Sequence, residues 1–359
     1  MNEITLNEKF HDLISDSTPR RKAAKIPKIV YLYMPKGNEI VEFDDKRPTK
    51  TLRRIFQGCI EYLPFEKTKI EEFQKYIDDS NEDKDESEKF KLPEFWSDDQ
   101  TLRCLQSYEY NNKTSLDNVK KYIDWVNKTL PIQPSNKVCE ILNIGFIYSH
   151  GRDNRFRPNV ILKIKEFKEN YVKYSFEDWT LSIIFCLEDL IKNLLVKGQV
   201  ENWNIIVDCT NASLLSLPPD LKKLLQILSD NYKCRLHTMY VLNLSFFLMA
   251  IWQIIKNVLD PITQRKIILT ESGSEDLFQR MNRSQLEAKF GGTANNVTEY
   301  YFPHIQPSED FLKEGENQND ILVSEEDYMK LVLEDSRFQR SPYYVYEDEI
   351  INEKGINYM

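Results

Sequence analysis

The sequence predicts an α/β fold: a mixed, mainly parallel sheet with flanking helices, preceded by a small all-helical domain. Three observations predict it. Between residues 145 and 270, short apolar runs alternate with longer segments of helical period. Strands separated by helices of that length imply right-handed crossovers and a parallel sheet. Before them, residues 97–130 hold two helical patterns with no strand between. Pro131 and Pro134 fall where the first regime gives way to the second.

At 359 residues the chain has room for about two domains and a sizeable core. Residues 1–45 read as an N-terminal extension with one candidate hairpin, "KIVYLYMPKGNEIVEF". The helical domain is placed at 46–133. Within it, Ser97 and Gln100 form a capping box for "DDQTLRCLQSYEY". Ser115 is the expected cap of "LDNVKKYIDWVNKTL", whose Leu116, Val119, Ile123 and Val126 share a face. The charged run "DDSNEDKDESEKFK" at 78–91 reads as an exposed loop.

The α/β domain is placed at 134–305. "GFIYSHGRDNRFRPNVILKI" reads as two strands around a Gly/Asn/Pro-rich turn. "FEDWTLSIIFCLEDLIKNLLVKG" is a helix begun by Ser175 and closed by Gly198. "WNIIVDC" is a buried strand. "PPDLKKLLQILSDNY" is a helix with Leu221, Leu224, Leu225, Leu228 and Tyr232 on one face. "LHTMYVLN" and "RKIILT" are strands flanking a long apolar helix.

Charge is unevenly spread. Residues 306–359 hold 14 Asp/Glu and 5 Lys/Arg, so this tail carries the equivalent of the whole chain's net −9. "PRRKAAKIPK" at 19–28 is a basic run that could touch anionic headgroups or be a solvated arm. The six cysteines are scattered, with no CxxC pair, and "MNEITLNEKFHDLISD" lacks the apolar core of a signal peptide. Reduced thiols and a cytoplasmic protein are expected.

Open α/β sheets often serve nucleotide enzymes, but the motifs for such chemistry are missing. The sequence has no G-x-G-x-x-G, no G-x-x-x-x-G-K-[ST] and no G-x-S-x-G. His11, His150, His237 and His304 form no metal-ligand spacing. Asp208 ends a strand, where a ligand or a turn cap is equally in keeping. No catalytic residues, no metal and no cofactor are expected.

The stretch from Phe246 to Leu259 is nearly all apolar. Its 14 residues are too few for a bilayer crossing, which takes about 20. Phe246, Phe247, Met249, Ile251, Trp252, Ile255 and Leu259 can face a cavity, a membrane or both in turn. An ordinary core helix would use the same residues.

The order of pieces resembles the Sec14-like, or CRAL-TRIO, lipid-binding family over about residues 95–300. The carrying residues are Gly151, Asp153, Arg157 and Pro158, then Asp208, then Tyr232 and Arg235. Asp260, Pro261, Thr263, Lys266, Leu286, Phe290, Gly291 and Gly292 follow. The resemblance implies a lipid cavity on the sheet, gated by the apolar helix. It implies a headgroup site at Thr263 and Lys266, with Arg265 adding charge and Cys234 standing where inositol-binding members carry Glu. The family's Arg-Lys pair falls here on Tyr108 and Glu109. Lys163, Lys165 and Lys168 could substitute, or form a solvated strand edge.

The implied function is phospholipid binding and transfer, of the phosphatidylinositol/phosphatidylcholine class. It involves transient membrane contact and no nucleic acid. The alternatives are a carrier of a sterol or tocopherol-like molecule, and a scaffold that meets a protein partner through the acidic tail at 306–359.

Overall fold

The computed structural model describes residues 62–196, 200–212, 220–243, 261–270 and 275–300. It also describes 26–27, 30, 41–44, 51–55, 252, 256, 259 and 322–323. The chain enters through a hairpin, β1 (Val41–Asp44) paired antiparallel with β2 (Thr51–Arg54). The candidate hairpin at 28–43 therefore contributes only its last residues to an observed pairing. Residues 28–40, apart from Val30, lie outside the described residues.

Three helices follow: α1 (Pro64–Asp79), α2 (Asp98–Ser107) and α3 (Asn112–Thr129). They pack around Phe73, Ile77, Leu105, Leu116 and Val119. The Ser97–Gln100 capping box forms as expected. The expected cap of α3 is corrected: Asn111, not Ser115, accepts the first-turn N–H, from Thr114 at 2.9 Å. Glu109 and Tyr110 take left-handed φ of 53° and 60°, which reverses the chain at once and lets α3 start four residues earlier. Ser115 is then fully buried inside the helix.

After α4 (Asn136–Asn143) the sheet begins. Strands β3 (Ile147–Arg152) and β4 (Pro158–Lys163) are antiparallel. β5 (Trp203–Asp208), β6 (Leu236–Leu242) and β7 (Ile267–Thr270) add in parallel, and the spatial order follows the chain. Between β4 and β5 come α5 (Ile164–Asn170) and α6 (Phe176–Asn193), the latter capped by Ser175. α7 (Leu221–Asn231) joins β5 to β6, and α8 (Pro261–Arg265) precedes β7.

Sequential right-handed crossovers put α6 and α7 on the same face. There Trp179, Ile184, Phe185 and Leu190 pack with Val160, Trp203 and Leu224. The opposite face, with Tyr148, Ile161, Ile206, Tyr240 and Leu242, is covered by Leu277, Met281, Leu286 and Phe290.

The "G-x-D-x-x-x-RP" motif closes the β3–β4 turn. Asp153 accepts from the backbone N–H groups of Arg155 and Arg157, from the Arg157 guanidinium at 3.1 Å and from Asn204 at 3.0 Å. Gly151 sits at φ +68°, and a Cβ there would collide with the Gln285 carbonyl. Asp208 caps its own turn, accepting from Thr210 N–H at 2.9 Å. These residues hold the fold together; none of them lines a cavity described below.

Candidate functional site

A cavity of about 240 Å³ opens at the N-terminal ends of β6 and β7. Arg53, Arg54, Arg265, Lys266 and Arg280 line it, with Gln106, Asn202, Cys234, His237 and Thr238. Five cations therefore share one small space, and among the described residues no carboxylate lines it. Such a concave cluster concentrates positive potential and attracts an anion.

Several elements place these groups. Gln106 of α2 clips onto β2, accepting from Arg54 N–H at 2.6 Å and donating to Arg54 O at 3.0 Å. This clip fixes Arg53 and Arg54 at the cavity. Glu66 takes Arg54 in a bidentate pair at 2.9 and 2.6 Å, with both groups almost fully buried. Arg53 is 9% exposed, and its Nε has no hydrogen-bond partner among the described residues. Arg280 reaches in from beyond the last helical turn and donates to Thr238 Oγ1 at 3.1 Å. Lys266 Nζ donates to Leu236 O at 2.5 Å, which aims the ammonium at the mouth of β6.

β6 carries an irregularity here. Trp203 pairs with Leu236 but Asn204 pairs with Thr238, so His237 is an extra, bulged residue. Bulges re-aim side chains beside functional sites, and Leu236, His237 and Thr238 all reach the cavity. Burial, then Arg157, Lys266 and Arg280, push His237 down to about 2, so it is neutral at neutral pH. It can thus offer a donor or acceptor without adding to the charge.

Cys234 ends the turn after α7 at φ 57°. Its Sγ lies 3.4 Å from Gln106 Nε2 and 3.6 Å from Ser107 Oγ. Burial alone would raise its pKa, but Arg53, Lys266 and Arg103 and the Ser107 hydrogen bond outweigh that and hold the thiol below its ordinary value.

Of the sequence-predicted headgroup residues, Cys234, Arg265 and Lys266 come together in this cavity. Thr263 is not among the lining residues; its carbonyl accepts Lys266 N–H at 3.1 Å and so shapes the turn that presents the lysine. Arg53, Arg54, Arg280 and His237 escaped the sequence reading. The only hint was "TLRRIF", two adjacent arginines with no acid beside them. Lys163 sits at the other end of the sheet, in register with Asp208, and pairs with Glu166 at 2.8 Å and Tyr300 at 3.0 Å. Lys165 pairs with Glu169 at 4.0 Å. Lys163 ends an interior strand and Lys165 lies on a short helix; neither lines the cavity.

Thr238 and Ile268 line the cavity from the face of Tyr240, whereas the helix-bearing face of the same strands is apolar. Val207 and Val241 are buried there, and Leu162, Ile164, Ile205, Met239, Ile267 and Leu269 pack around them only partly buried. This strip begins at Ile267, the residue after Lys266. Of the predicted gate residues, Trp252 and Leu259 are described and are partly buried; Phe246, Phe247, Met249, Ile251 and Ile255 lie outside the described residues.

A second cavity of about 240 Å³ lies between α2 and α3 on one side and α6 and α7 on the other. Glu188 faces it and accepts from the Tyr232 hydroxyl at 2.9 Å; burial pushes its carboxyl up to about 7. It gathers none of the predicted site residues. Among the described residues no cluster of His, Cys, Asp and Glu is placed to hold a metal ion, and no helix is long and apolar enough to cross a membrane.

The sequence profile of the CRAL/TRIO domain matches residues 142–292. A CRAL-TRIO domain-containing protein of Schizosaccharomyces pombe is 23% identical over 239 residues, 63% of this chain and 52% of that protein. The phosphatidylinositol/phosphatidylcholine transfer protein SFH4 of Arabidopsis thaliana is 26% identical over 159 residues, 40% of this chain and 26% of that protein. Clavesin-1 of Xenopus laevis is 28% identical over 202 residues, 54% of this chain and 60% of that protein. The matched region thus spans from a quarter to three fifths of these relatives. In fold, the chain is similar to the crystal structure of Sfh5, with a TM-score of 0.50 at 14% identity over 77% of this chain and all of that one.

Proposed function

The chain carries a CRAL/TRIO domain at residues 142–292, and from that premise we propose that it binds a glycerophospholipid and moves it between membranes without chemical catalysis. The headgroup phosphate occupies the cavity of Arg53, Arg54, Arg265, Lys266 and Arg280. The acyl chains lie along the apolar strip of Val207, Met239, Val241, Ile267 and Leu269. The observation that carries this reading is that five cations line one cavity at the ends of β6 and β7, strands whose helix-bearing face holds partly buried apolar side chains. A lipid needs both at one place.

Magnitudes support the pairing. Each buried CH₂ contributes about 0.8 kcal/mol, so two acyl chains need roughly 20 kcal/mol of apolar contact to leave a bilayer. A charge-assisted hydrogen bond to phosphate adds about 1.5–3 kcal/mol. The cation count favours an anionic headgroup of the phosphatidylinositol type within the phosphatidylinositol/phosphatidylcholine class. It gives an uncharged sterol or tocopherol-like cargo nothing to match. In the same reading, Phe246 to Leu259 gate the cavity and meet the membrane when they swing out, and the chain works from the cytoplasm.

A transfer assay tests the proposal. The purified chain should carry fluorescent phosphatidylinositol from donor to acceptor liposomes well above the protein-free rate. Changing both Phe246 and Phe247 to Asp should slow transfer without lowering the melting temperature. Transfer at the protein-free rate for every glycerophospholipid tried would overturn the reading. A collapsed melting temperature in the double variant would assign the two rings to the core instead.

A further inference from the structure

We propose that Cys234 is a nucleophilic cysteine reached through the basic cavity, and that its oxidation by a hydroperoxide closes the cavity to anions. The first half stands on the cavity's geometry; the second rests on the anion-binding reading above.

Several elements bring cations to the cavity that Cys234 lines. Arg53 and Arg54 come from β2, Arg265 and Lys266 from the end of α8, Arg280 from beyond α9 (Glu275–Phe278), and Arg103 from α2, with neutral His237 on β6. Gln106 Nε2 donates toward the sulfur at 3.4 Å, and Ser107 Oγ, whose hydroxyl donates to Arg103 O at 2.8 Å, lies 3.6 Å from it. Arg53 gives an independent sign that the cavity is built for a negative group. It lines the same space, is nine-tenths buried, and its Nε has no hydrogen-bond partner among the described residues. Reactive cysteines occupy electropositive, partly exposed surroundings of this kind.

The other described cysteines differ. Cys104, Cys186 and Cys209 are buried, and burial pushes each up to about 12. Cys139 is partly exposed, yet burial and Glu140 raise it. Cys234 is the thiol among the described residues that its surroundings hold low.

The step balances with a hydroperoxide as oxidant. A sulfur lone pair forms a bond to the distal oxygen while the O–O bond breaks. The alkoxide leaves with the electron pair and takes up a proton as the alcohol. Sulfur is oxidised to sulfenic acid and the peroxide is reduced. The leaving alkoxide departs beside Arg53 and Lys266, which offset its charge. The added oxygen, and the negative charge of any further oxidation, then occupy the space a phosphate would take.

Alkylation tests the thiolate. The purified full chain is treated with iodoacetamide from about pH 5 to about pH 10, and each cysteine is read by peptide mass spectrometry. Cys234 should reach half its limiting rate below the ordinary thiol value of about 8.5, and Cys139 above it. Inorganic phosphate in the millimolar range should slow Cys234 alone. Arg53→Gln should move the Cys234 midpoint up by about one pH unit, which a merely structural arginine would not do. A Cys234 rate no faster than that of Cys139 at neutral pH, or one blind to phosphate, overturns the proposal.

For the second half, tert-butyl hydroperoxide should make Cys234 reactive to dimedone and abolish phosphate protection or phosphatidylinositol binding. In Cys234→Ser, treated and untreated chains should behave alike, whatever their affinity. Unchanged binding after complete oxidation of Cys234 overturns this half. If the untreated chain binds no lipid vesicle, the lipid reading fails, while the alkylation profile still decides the thiolate.

Discussion

Glu201→Ala lowers the melting temperature by roughly 10 °C. Its carboxylate is 7% exposed as a residue and pairs with Arg103 of α2 and with Arg235 at 3.2 Å. Arg235 also donates to Glu201 O at 3.0 Å, and Arg103 donates to Cys234 O at 3.3 Å. One carboxylate thus ties the helical domain to the entry of β5 and to the turn before β6. Removing it takes away the carboxylate that the two guanidiniums share. Breaking a buried pair in this way costs about 3–5 kcal/mol, and in a folded unit of about 150–250 residues each kcal/mol moves the midpoint by about 2–4 °C. Glu201→Gln keeps acceptor capacity but not charge, so it should fall between. A Glu201→Ala midpoint within about 1 °C of the parent would mean that the network is not stabilising.

Arg53→Gln combined with Lys266→Ala weakens binding of phosphatidylinositol liposomes by about a hundredfold or more. Each charge-assisted contact to phosphate is worth about 1.5–3 kcal/mol, and a tenfold change in affinity is about 1.4 kcal/mol. The two groups share a cavity, so their effects need not add, and a hundredfold is the lower end of the sum. Phosphatidylcholine has a phosphate too and should also lose affinity, though it starts from a weaker position. Co-sedimentation measures the loss, and thermal melting confirms that both chains are folded. A loss under about threefold for every phospholipid would remove these residues from the site.

The strands, crossovers and most caps were legible because they are local. The Ser97–Gln100 box, the Ser175 cap and the alternating runs at 203–208 and 236–242 each depend on residues a few positions apart. The α3 cap was misread because Asn111 and Ser115 are both good cap residues. The choice between them was made by the left-handed pair Glu109–Tyr110, which no propensity scale favours.

Three residues of the basic cavity, Cys234, Arg265 and Lys266, were visible as well. Arg265 and Lys266 sit in a matched motif, and Cys234 in a matched turn. Arg53 and Arg54 were not visible, because their place is fixed by Gln106, 52 residues away from Arg54. Arg280 joins through Thr238, 42 residues distant. Nothing in the spacing of residues along the chain announces a contact that a folded helix creates. His237 forms no metal-ligand spacing with the other histidines. Its role as a bulged residue appears only when β5 and β6 are laid in register.

The central claim is that this chain holds a phospholipid, with its phosphate among the five cations and its chains on the sheet. Native mass spectrometry of the purified chain, followed by lipid extraction, tests it most directly. The account predicts one glycerophospholipid per chain, enriched in anionic headgroups over the host membrane, and lost from the Arg53→Gln, Lys266→Ala chain. A chain that stays empty after incubation with mixed liposomes, or that carries only a neutral sterol-like molecule, would contradict it.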